Sequence, residues 1–452
     1  MSLALPTEQL RAVASAALER AQAQGADQCE AEATQSAGLN VTVRMGELET
    51  LEHTGEQSLT VTVYVKDRKG GGPGYARGNA TTSDFTPSAI AAAVDKAMAI
   101  ARYTSADPCA GLADAADMAQ AFPDLDLHHP WAIDVAQAQE TARECEAAAF
   151  AVDRRIDNSE GATLSASENE FVYANSHGFM GGYRGSAHYL YCAVVASEGG
   201  AMERDHWYSA HRVPTKLESP VEVGRRAGER AVARLNPRKI ATQTAPVLLA
   251  PWIASGFIGH AISALYGGAL YRKTSFLVDS VGKRIFAPLV EIVEDPLIPQ
   301  GYASAPFDAE GVASRRRTVV EAGVIQGYFL SAYSARKLGL RTTGNAGGNH
   351  NLLVRPTAAA DLNGLARDMG RGLLVTEVMG QGVNPVTGDY SRGAAGFWVE
   401  GGELVHPVSE ITISGNLLEL YQRIVAIGSD IDRRGSKQVG SVLIESMQIA
   451  GA

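Results

Sequence analysis

Alternation of apolar and polar residues constrains the fold of this chain more than any other feature. Residues 59–65 (Leu-Thr-Val-Thr-Val-Tyr-Val) follow a two-residue period, and residues 41–45 repeat it. Successive side chains of a β-strand point to opposite faces of the sheet, so this period predicts strands with one buried face. Strand patterns also dominate residues 163–212, including the apolar run 189–195. The first half of the chain is therefore expected to contain an antiparallel sheet.

Helical patterns separate these strands. The spacing of apolar residues predicts an amphipathic helix over residues 7–24. Thr86, which is followed by proline, is a favourable N-cap for a second helix. Further helices are predicted over residues 134–150 and 220–235. We therefore expect residues 1–240 to form an N-terminal α+β domain, in which helices pack on a mostly antiparallel sheet.

The second half, residues 241–452, begins with an apolar strand that runs directly into a helix. Residues 318–325 and 397–404 each place glycine between two short strands, which is typical of a β-hairpin. We predict a mostly antiparallel β barrel or sandwich with a few packed helices. The whole chain is thus expected to be an α+β protein of two domains, with their boundary near residues 237–245.

Charge and cysteine content exclude several classes of protein. The formal net charge is −10, so the chain has no overall attraction to nucleic acid. Its four cysteines are scattered without metal-binding spacing, which favours a reducing compartment. No apolar run approaches the roughly 18 residues of a membrane span, and the amphipathic start is not a signal peptide. We expect a cytoplasmic protein that binds neither nucleic acid nor membrane.

Common catalytic motifs are missing. The glycine-rich residues 70–78 lack the third glycine of a dinucleotide-binding turn and predict a hairpin loop. The sequence has no phosphate-binding loop and no Gly-x-Ser-x-Gly nucleophile motif. His128-His129, close to Asp124 and Asp126, offer at most a surface metal site. The chemistry must therefore be sought in the second half.

Long glycine-rich motifs lie beyond residue 250. Glycine this dense between strands permits close backbone approach, either for tight turns or for a ligand. The motifs include Gly-Asn-Ala-Gly-Gly (344–348) and Gly-Asp-Tyr-Ser-Arg-Gly-Ala (388–394), and a further motif without glycine is Tyr-Arg-Lys-x-Ser-Phe-Leu (271–277). Together with Pro-Val-Ser-Glu-Ile-Thr-Ile-x-Gly-Asn (407–416), they resemble the TldE (PmbA) branch of the TldD/TldE metallopeptidase family. The resemblance spans essentially the whole chain.

The resemblance implies a zinc site that this chain does not reproduce. TldD subunits hold zinc with an HExxxH motif that ends in Gly-His and with a cysteine near the C-terminus. Gly259-His260 matches the end of that motif, but Ser255 and Gly256 stand where its histidine and glutamate belong. Residues 432–441 contain no cysteine, and Val439 lies close to its place. Because zinc needs several ligands and a carboxylate to activate water, we predict no zinc in this chain and no catalytic residue.

A lone histidine in an apolar helix is more typical of core packing than of metal binding. His260 is therefore treated as a residual motif position. The resemblance implies that this chain is the non-catalytic partner in a heterodimer with a TldD-like zinc peptidase subunit, which degrades unfolded peptides or trims peptide precursors. A homodimer is an alternative assembly when the partner is scarce.

Substrate-binding residues are proposed from motif position. Candidates to hold a peptide carboxylate are Arg272, Lys273 and Arg392, and candidates to hold an amine are Glu377 and Asp389. Asn345, in the Gly-Asn-Ala-Gly-Gly motif, is a further candidate. An extended peptide is expected to add as a strand along a sheet edge.

Two other interpretations stay open. One is a self-sufficient peptidase in which His260 is joined by His350 or His406, with Asp389 or Glu377 as the carboxylate. The other is a protein-interaction modulator of DNA gyrase, which the family's older label suggests.

Overall fold

A computed structural model describes residues 3–66 and 73–451. One antiparallel sheet occupies the first half, in the order β3-β2-β1-β4-β5-β6. Its strands are β1 (Gln28–Arg44), β2 (Glu47–Lys66), β3 (Tyr75–Thr82), β4 (Ile156–Asn175), β5 (Met180–Glu198) and β6 (Ala201–His211). The helices of this half are α1 (Thr7–Ala23), α2 (Pro87–Tyr103), α3 (Val135–Phe150) and α4 (Pro220–Ala233).

The strands of this sheet are longer than the sequence predicts. Residues 41–44 are only the end of β1, whereas Met45 lies in the turn that follows, and the segment 59–65 is only the end of β2. In β1 the buried positions include Cys29, Ala31 and Ala33, and glutamates stand between them. Alanine forms strands poorly in isolation, so the two-residue period of this segment is easily overlooked. Because alanine is small, the helices can approach this strand closely. The strand is stabilised by its burial beneath them.

Helices cover one face of the sheet. α1 and α2 pack on β1–β3, and α3 and α4 pack on β4 and β5. The predicted cap of α2 is confirmed, because the Thr86 hydroxyl accepts a hydrogen bond from the Ala89 N–H. β2 and β3 form the predicted hairpin, although residues 67–72 of its glycine-rich connection lie outside the described residues.

The second half contains two further sheets, with the strand orders β10-β9-β8-β11-β16 and β14-β13-β12-β7-β17-β15. The strands are β7 (Gln243–Leu249), β8 (Ile292–Asp295), β9 (Arg317–Glu321), β10 (Val324–Ile325), β11 (Asn351–Val354), β12 (Arg371–Met379), β13 (Asp389–Glu400), β14 (Glu403–Asn416), β15 (Ile424–Ile427), β16 (Lys437–Gln438) and β17 (Val442–Ala450). The helices are α5 (Pro251–Ala264), α6 (Gly267–Tyr271), α7 (Ala332–Leu338), α8 (Leu362–Met369) and α9 (Leu417–Gln422).

Pairing between β14 and β17 closes the larger sheet into a barrel. All its neighbours are antiparallel except β7 and β12. Both predicted hairpins are confirmed: glycines with positive φ, Gly323 in one and Gly401 and Gly402 in the other, occupy the turns. The α+β class, with an antiparallel sheet followed by a barrel with packed helices, is therefore confirmed.

Polar contacts join the two halves. Arg234, beside α4, forms an ion pair with Glu377 of β12. Arg434 donates from Nη1 to the carbonyl of Tyr208 at 3.0 Å. Within residues 3–66 and 73–451, no helix is both long and apolar enough to cross a bilayer.

Candidate functional site

The helix α5, which carries His260, has one buried face and one open face. Proline at its first position fits a helix start, since that position needs no intrahelical N–H bond. Phe257, Ile258 and Ile262 are buried in the core of the barrel. The buried Tyr421 hydroxyl donates to the carbonyl of Phe257 at 2.9 Å and anchors the helix from below.

The open face of α5 is almost free of side chains. It comprises Ser255, Gly256, Gly259 and His260, which are half-buried or exposed. A Cβ built on Gly256 would meet no atom within 4 Å. A Cβ built on Gly259 would lie only 3.2 Å from Cε of Lys437. The Lys437 side chain therefore lies along the helix backbone, in space that a larger residue at position 259 would fill.

Three basic residues, His260, Arg392 and Lys437, converge on this face. We call the open face of α5 together with these residues the α5 groove. The His260 ring packs edge-on against Tyr390, with ring centroids 6.0 Å apart. Burial lowers the pKa of His260, and the neighbouring charges of Arg392 and Lys437 lower it further. His260 is therefore predominantly neutral at pH 7.

The two permanent cations of the groove come from different strands. Arg392 on β13 donates from Nε to the carbonyl of Met379 at 3.0 Å. Lys437 begins β16, whose pairing with β11 fixes its position beside the helix. Among the described residues, no ion pair involves either side chain. The groove thus carries uncompensated positive charge.

The residues of the groove do not fit a zinc ion. Zinc in proteins is held by three or four imidazole, thiolate or carboxylate ligands. The α5 groove offers the single imidazole of His260, and two cations that would repel a metal ion lie beside it. In residues 3–66 and 73–451, no three His, Cys, Asp or Glu side chains are grouped as a metal ion requires. That this chain holds no zinc stays a prediction.

Two of the candidate substrate-binding residues are engaged inside the fold. The buried Asn345 amide donates to Glu294 Oε1 at 2.7 Å, and its oxygen accepts from Arg317 at 3.1 Å. Glu377 is bound by Arg234 across the two halves of the chain. These contacts hold both side chains in place, and among the described residues neither forms a hydrogen bond or ion pair with His260, Arg392 or Lys437.

Three other candidates, Arg272, Lys273 and Asp389, are exposed, and Arg392 is half-buried. Arg272 and Lys273 follow α6, and Arg272 donates to the Tyr271 hydroxyl at 3.0 Å. Asp389 opens β13 and accepts hydrogen bonds from Thr387 and Asn416, which lower its pKa. Of the six candidates, Arg392 is the one that the structure brings to His260.

The remaining histidines of the self-sufficient hypothesis have other partners. Both ring nitrogens of the buried His350 face backbone carbonyls, Nδ1 that of Ala303 at 3.2 Å and Nε2 that of Gly344 at 3.1 Å. His406, on β14, lies next to the carbonyl of Pro407. Neither forms a described ring or hydrogen-bond contact with His260.

Sequence reasoning missed Lys437. It lies in the segment 432–441, which the resemblance marks only by its missing cysteine. No local pattern distinguishes this lysine from a solvated surface residue, because its contact with Gly259 is made by strand pairing far along the chain.

Comparisons with known proteins place the chain in a family. Models of the PmbA/TldA metallopeptidase domain 1, central domain and C-terminal domain match residues 29–101, 128–235 and 242–451. The chain is 45% identical over 442 residues to "Metalloprotease PmbA" of Escherichia coli O157:H7, covering 98% of this chain and 96% of that relative.

Solved structures share the fold over nearly the whole length. A Bacteroides thetaiotaomicron protein, described as a candidate modulator of DNA gyrase, superposes with a TM-score of 0.92 at 26% identity, covering 99% of this chain and 100% of that one. TldE from Thermococcus kodakarensis superposes with a TM-score of 0.83 at 20% identity, covering 96% and 99%. The motifs, the fold and these likenesses agree, and the chain belongs to the PmbA (TldE) branch of the PmbA/TldA metallopeptidase family.

Proposed function

We propose that this chain is the zinc-free subunit of a two-subunit peptidase, and that a TldD-like partner supplies the zinc. The observation that carries the proposal is the α5 groove. Ser255 and Gly256 stand where the family's motif requires a metal ligand and a carboxylate, and Lys437 lies against the same helix. A subunit that has one imidazole and two cations at this place cannot activate water through a metal ion.

The chemistry of the groove suits peptide binding rather than hydrolysis. Its floor is open at Gly256, where an extended chain can approach the helix backbone, whereas the Lys437 side chain covers Gly259. Arg392 and Lys437 attract acidic groups of a peptide, since no described carboxylate neutralises them. In this proposal the groove guides peptides toward the active centre of the partner.

Co-expression of this chain with a TldD-like subunit from the same genome tests the assembly. We expect native mass spectrometry to detect a heteromer with one zinc per pair, and zinc to be lost when the partner is omitted. Purified alone, the chain should not cleave unfolded peptides. Stoichiometric zinc in the isolated chain, together with chelator-sensitive peptide cleavage, would overturn the proposal and favour the self-sufficient peptidase.

Variants of the groove test its role in the complex. Arg392→Ala and Lys437→Ala should leave the heteromer and its zinc intact and slow peptide cleavage. Lys283→Ala is the matched control, because Lys283 is an exposed cation outside the groove. Cleavage at the wild-type rate by both groove variants would remove the groove from the substrate path.

A further inference from the structure

A cavity of about 450 Å³ lies between the first sheet and the C-terminal half of the chain. Its sheet wall is the face opposite the helices, where β4 and β5 contribute Phe171, Tyr183 and Ala187. Its other wall is formed by residues 302–309 and 346–350. A cavity of this size matches the roughly 300–1,000 Å³ of small-ligand sites.

Aromatic rings form an apolar wall in this cavity. Phe171 and Tyr183 lie side by side on the sheet with ring centroids 5.6 Å apart. Phe307 reaches them from the C-terminal half, with its ring centroid 5.7 Å from that of Tyr183. Such a wall favours a ligand with an aromatic or aliphatic side group.

Arg212 gives the cavity a positive charge that no carboxylate of the described residues neutralises. Its guanidinium donates from Nε to Gly301 O at 3.0 Å, from Nη1 to Ser186 O at 3.0 Å and from Nη2 to Tyr302 O at 2.7 Å. These carbonyls orient the group but carry no net charge, and among the described residues no carboxylate pairs with it. Burial of the guanidinium lowers the pKa of Arg212. Two of the five N–H donors of a guanidinium stay available.

Glycine keeps one edge of this guanidinium open. A Cβ on Gly185 would lie 3.0 Å from Arg212 Nη1 and 2.9 Å from Asn169 Oδ1. A larger residue would cover both polar groups. The absence of a side chain here leaves the arginine facing the cavity.

The acidic residue of the cavity wall does not neutralise Arg212. Asp308 is 3% exposed, and its carboxylate accepts three backbone N–H bonds, from Glu310, Val312 and Ala346. Its burial raises its pKa to about 6. The carboxylate of Asp308 therefore binds backbone N–H groups rather than Arg212, and the neighbouring His350 adds no negative charge.

We propose that this cavity binds a small organic carboxylate with an apolar side group, whose carboxylate pairs with Arg212 and whose side group contacts Phe171, Tyr183 and Phe307. The ligand is either a free acylated amino acid or the C-terminal residue of a peptide. This site does not depend on the proposed subunit role, because this chain contributes all of its lining residues.

Isothermal titration calorimetry on the full chain tests the proposal. The probes are N-acetylphenylalanine, its C-terminal amide, and acetyl-Ala-Ala-Phe with a free carboxylate. We expect saturable binding of N-acetylphenylalanine, and binding of the amide weaker by about tenfold or more because the charged hydrogen bonds are lost. Equal binding of the tripeptide identifies a peptide C-terminus as the ligand, whereas its failure identifies a free small carboxylate. An amide that binds as tightly as the acid, or no saturable binding of either acid, refutes the site.

Two variants locate the binding. Ala187→Leu fills the cavity without removing a hydrogen bond, and Arg212→Met removes the charge while it keeps an apolar stem. Each should weaken binding of N-acetylphenylalanine by about tenfold or more. Arg355→Met, the loss of an exposed arginine paired with Glu291, is the matched control and should bind normally. If Arg212→Met does not fold, Ala187→Leu decides, and wild-type affinity in that variant refutes the site.

Discussion

We expect two mid-helix glycines to respond in opposite ways to substitution by alanine. Gly224 in α4 lies where that helix crosses α3, and a Cβ there would be 1.9 Å from the carbonyl oxygen of Cys145. Ordinary van der Waals contact begins at 3.4 Å, so the two helices would have to move apart by about 1.5 Å. Gly256 in α5 faces open space.

The magnitudes follow from these contacts. Gly224→Ala should destabilise the N-terminal half by about 1–3 kcal/mol, the usual cost of overpacking, because a backbone carbonyl cannot yield as a side chain can. Gly256→Ala should stabilise α5 by roughly 0.5–1 kcal/mol, since alanine loses less backbone entropy in a helix than glycine does. The two variants should thus differ by roughly 1.5–4 kcal/mol.

Native-state hydrogen exchange resolves the two helices separately, which a single unfolding transition of a large chain does not. We expect Gly224→Ala to speed amide exchange in α3 and α4, and Gly256→Ala to slow it in α5. Urea unfolding of both variants provides the supporting comparison. Unchanged protection of α3 and α4 in Gly224→Ala would contradict the close helix crossing.

Three further predictions concern stability. Burial raises the pKa of Glu310 to about 8. A carboxyl whose pKa is raised in the folded state contributes stability below its unfolded-state pKa, and this contribution is lost as pH rises toward 8. Glu310→Gln should therefore flatten the decline of the urea midpoint between pH 5 and pH 8. Arg234→Met should lower the free energy of unfolding in urea more than Glu377→Gln does. Arg234 also pairs with Glu203 and Asp205, so the loss of Glu377 leaves the arginine with partners, whereas the loss of Arg234 removes a cationic partner from each of these carboxylates. Equal losses in the two variants would contradict this network. Tyr421→Phe should cost about 0.5–1.5 kcal/mol in urea unfolding, since it removes the hydrogen bond from the buried hydroxyl to the carbonyl of Phe257, and no measurable loss would show that this bond adds nothing to stability.

Local pattern predicted much of the fold. The hairpin at 397–404 and the Thr86 cap depend on neighbouring residues, and both are confirmed. The alanine-rich start of β1 escaped prediction because its strand is stabilised by the helices above it rather than by its own propensity.

The candidate site was predicted in part. Its position in a family motif made Arg392 a candidate for substrate binding, and the structure places Arg392 beside His260. Asn345 also lies in one of the family's motifs, yet its side-chain amide is hydrogen-bonded to Glu294 and Arg317. Arg212 gave no sequence signal, because a single arginine after a strand is ordinary until its neighbours are known.

The sequence by itself determined the α+β class, the hairpin turns and the lack of metal ligands at Ser255 and Gly256, because these depend on residue identity and short spacing. Only the tertiary structure decided that Lys437 lies against Gly259, and that Arg212 faces a cavity where no described carboxylate pairs with it. Charge compensation and free space are properties of groups brought together from distant parts of a chain, so no local pattern encodes them.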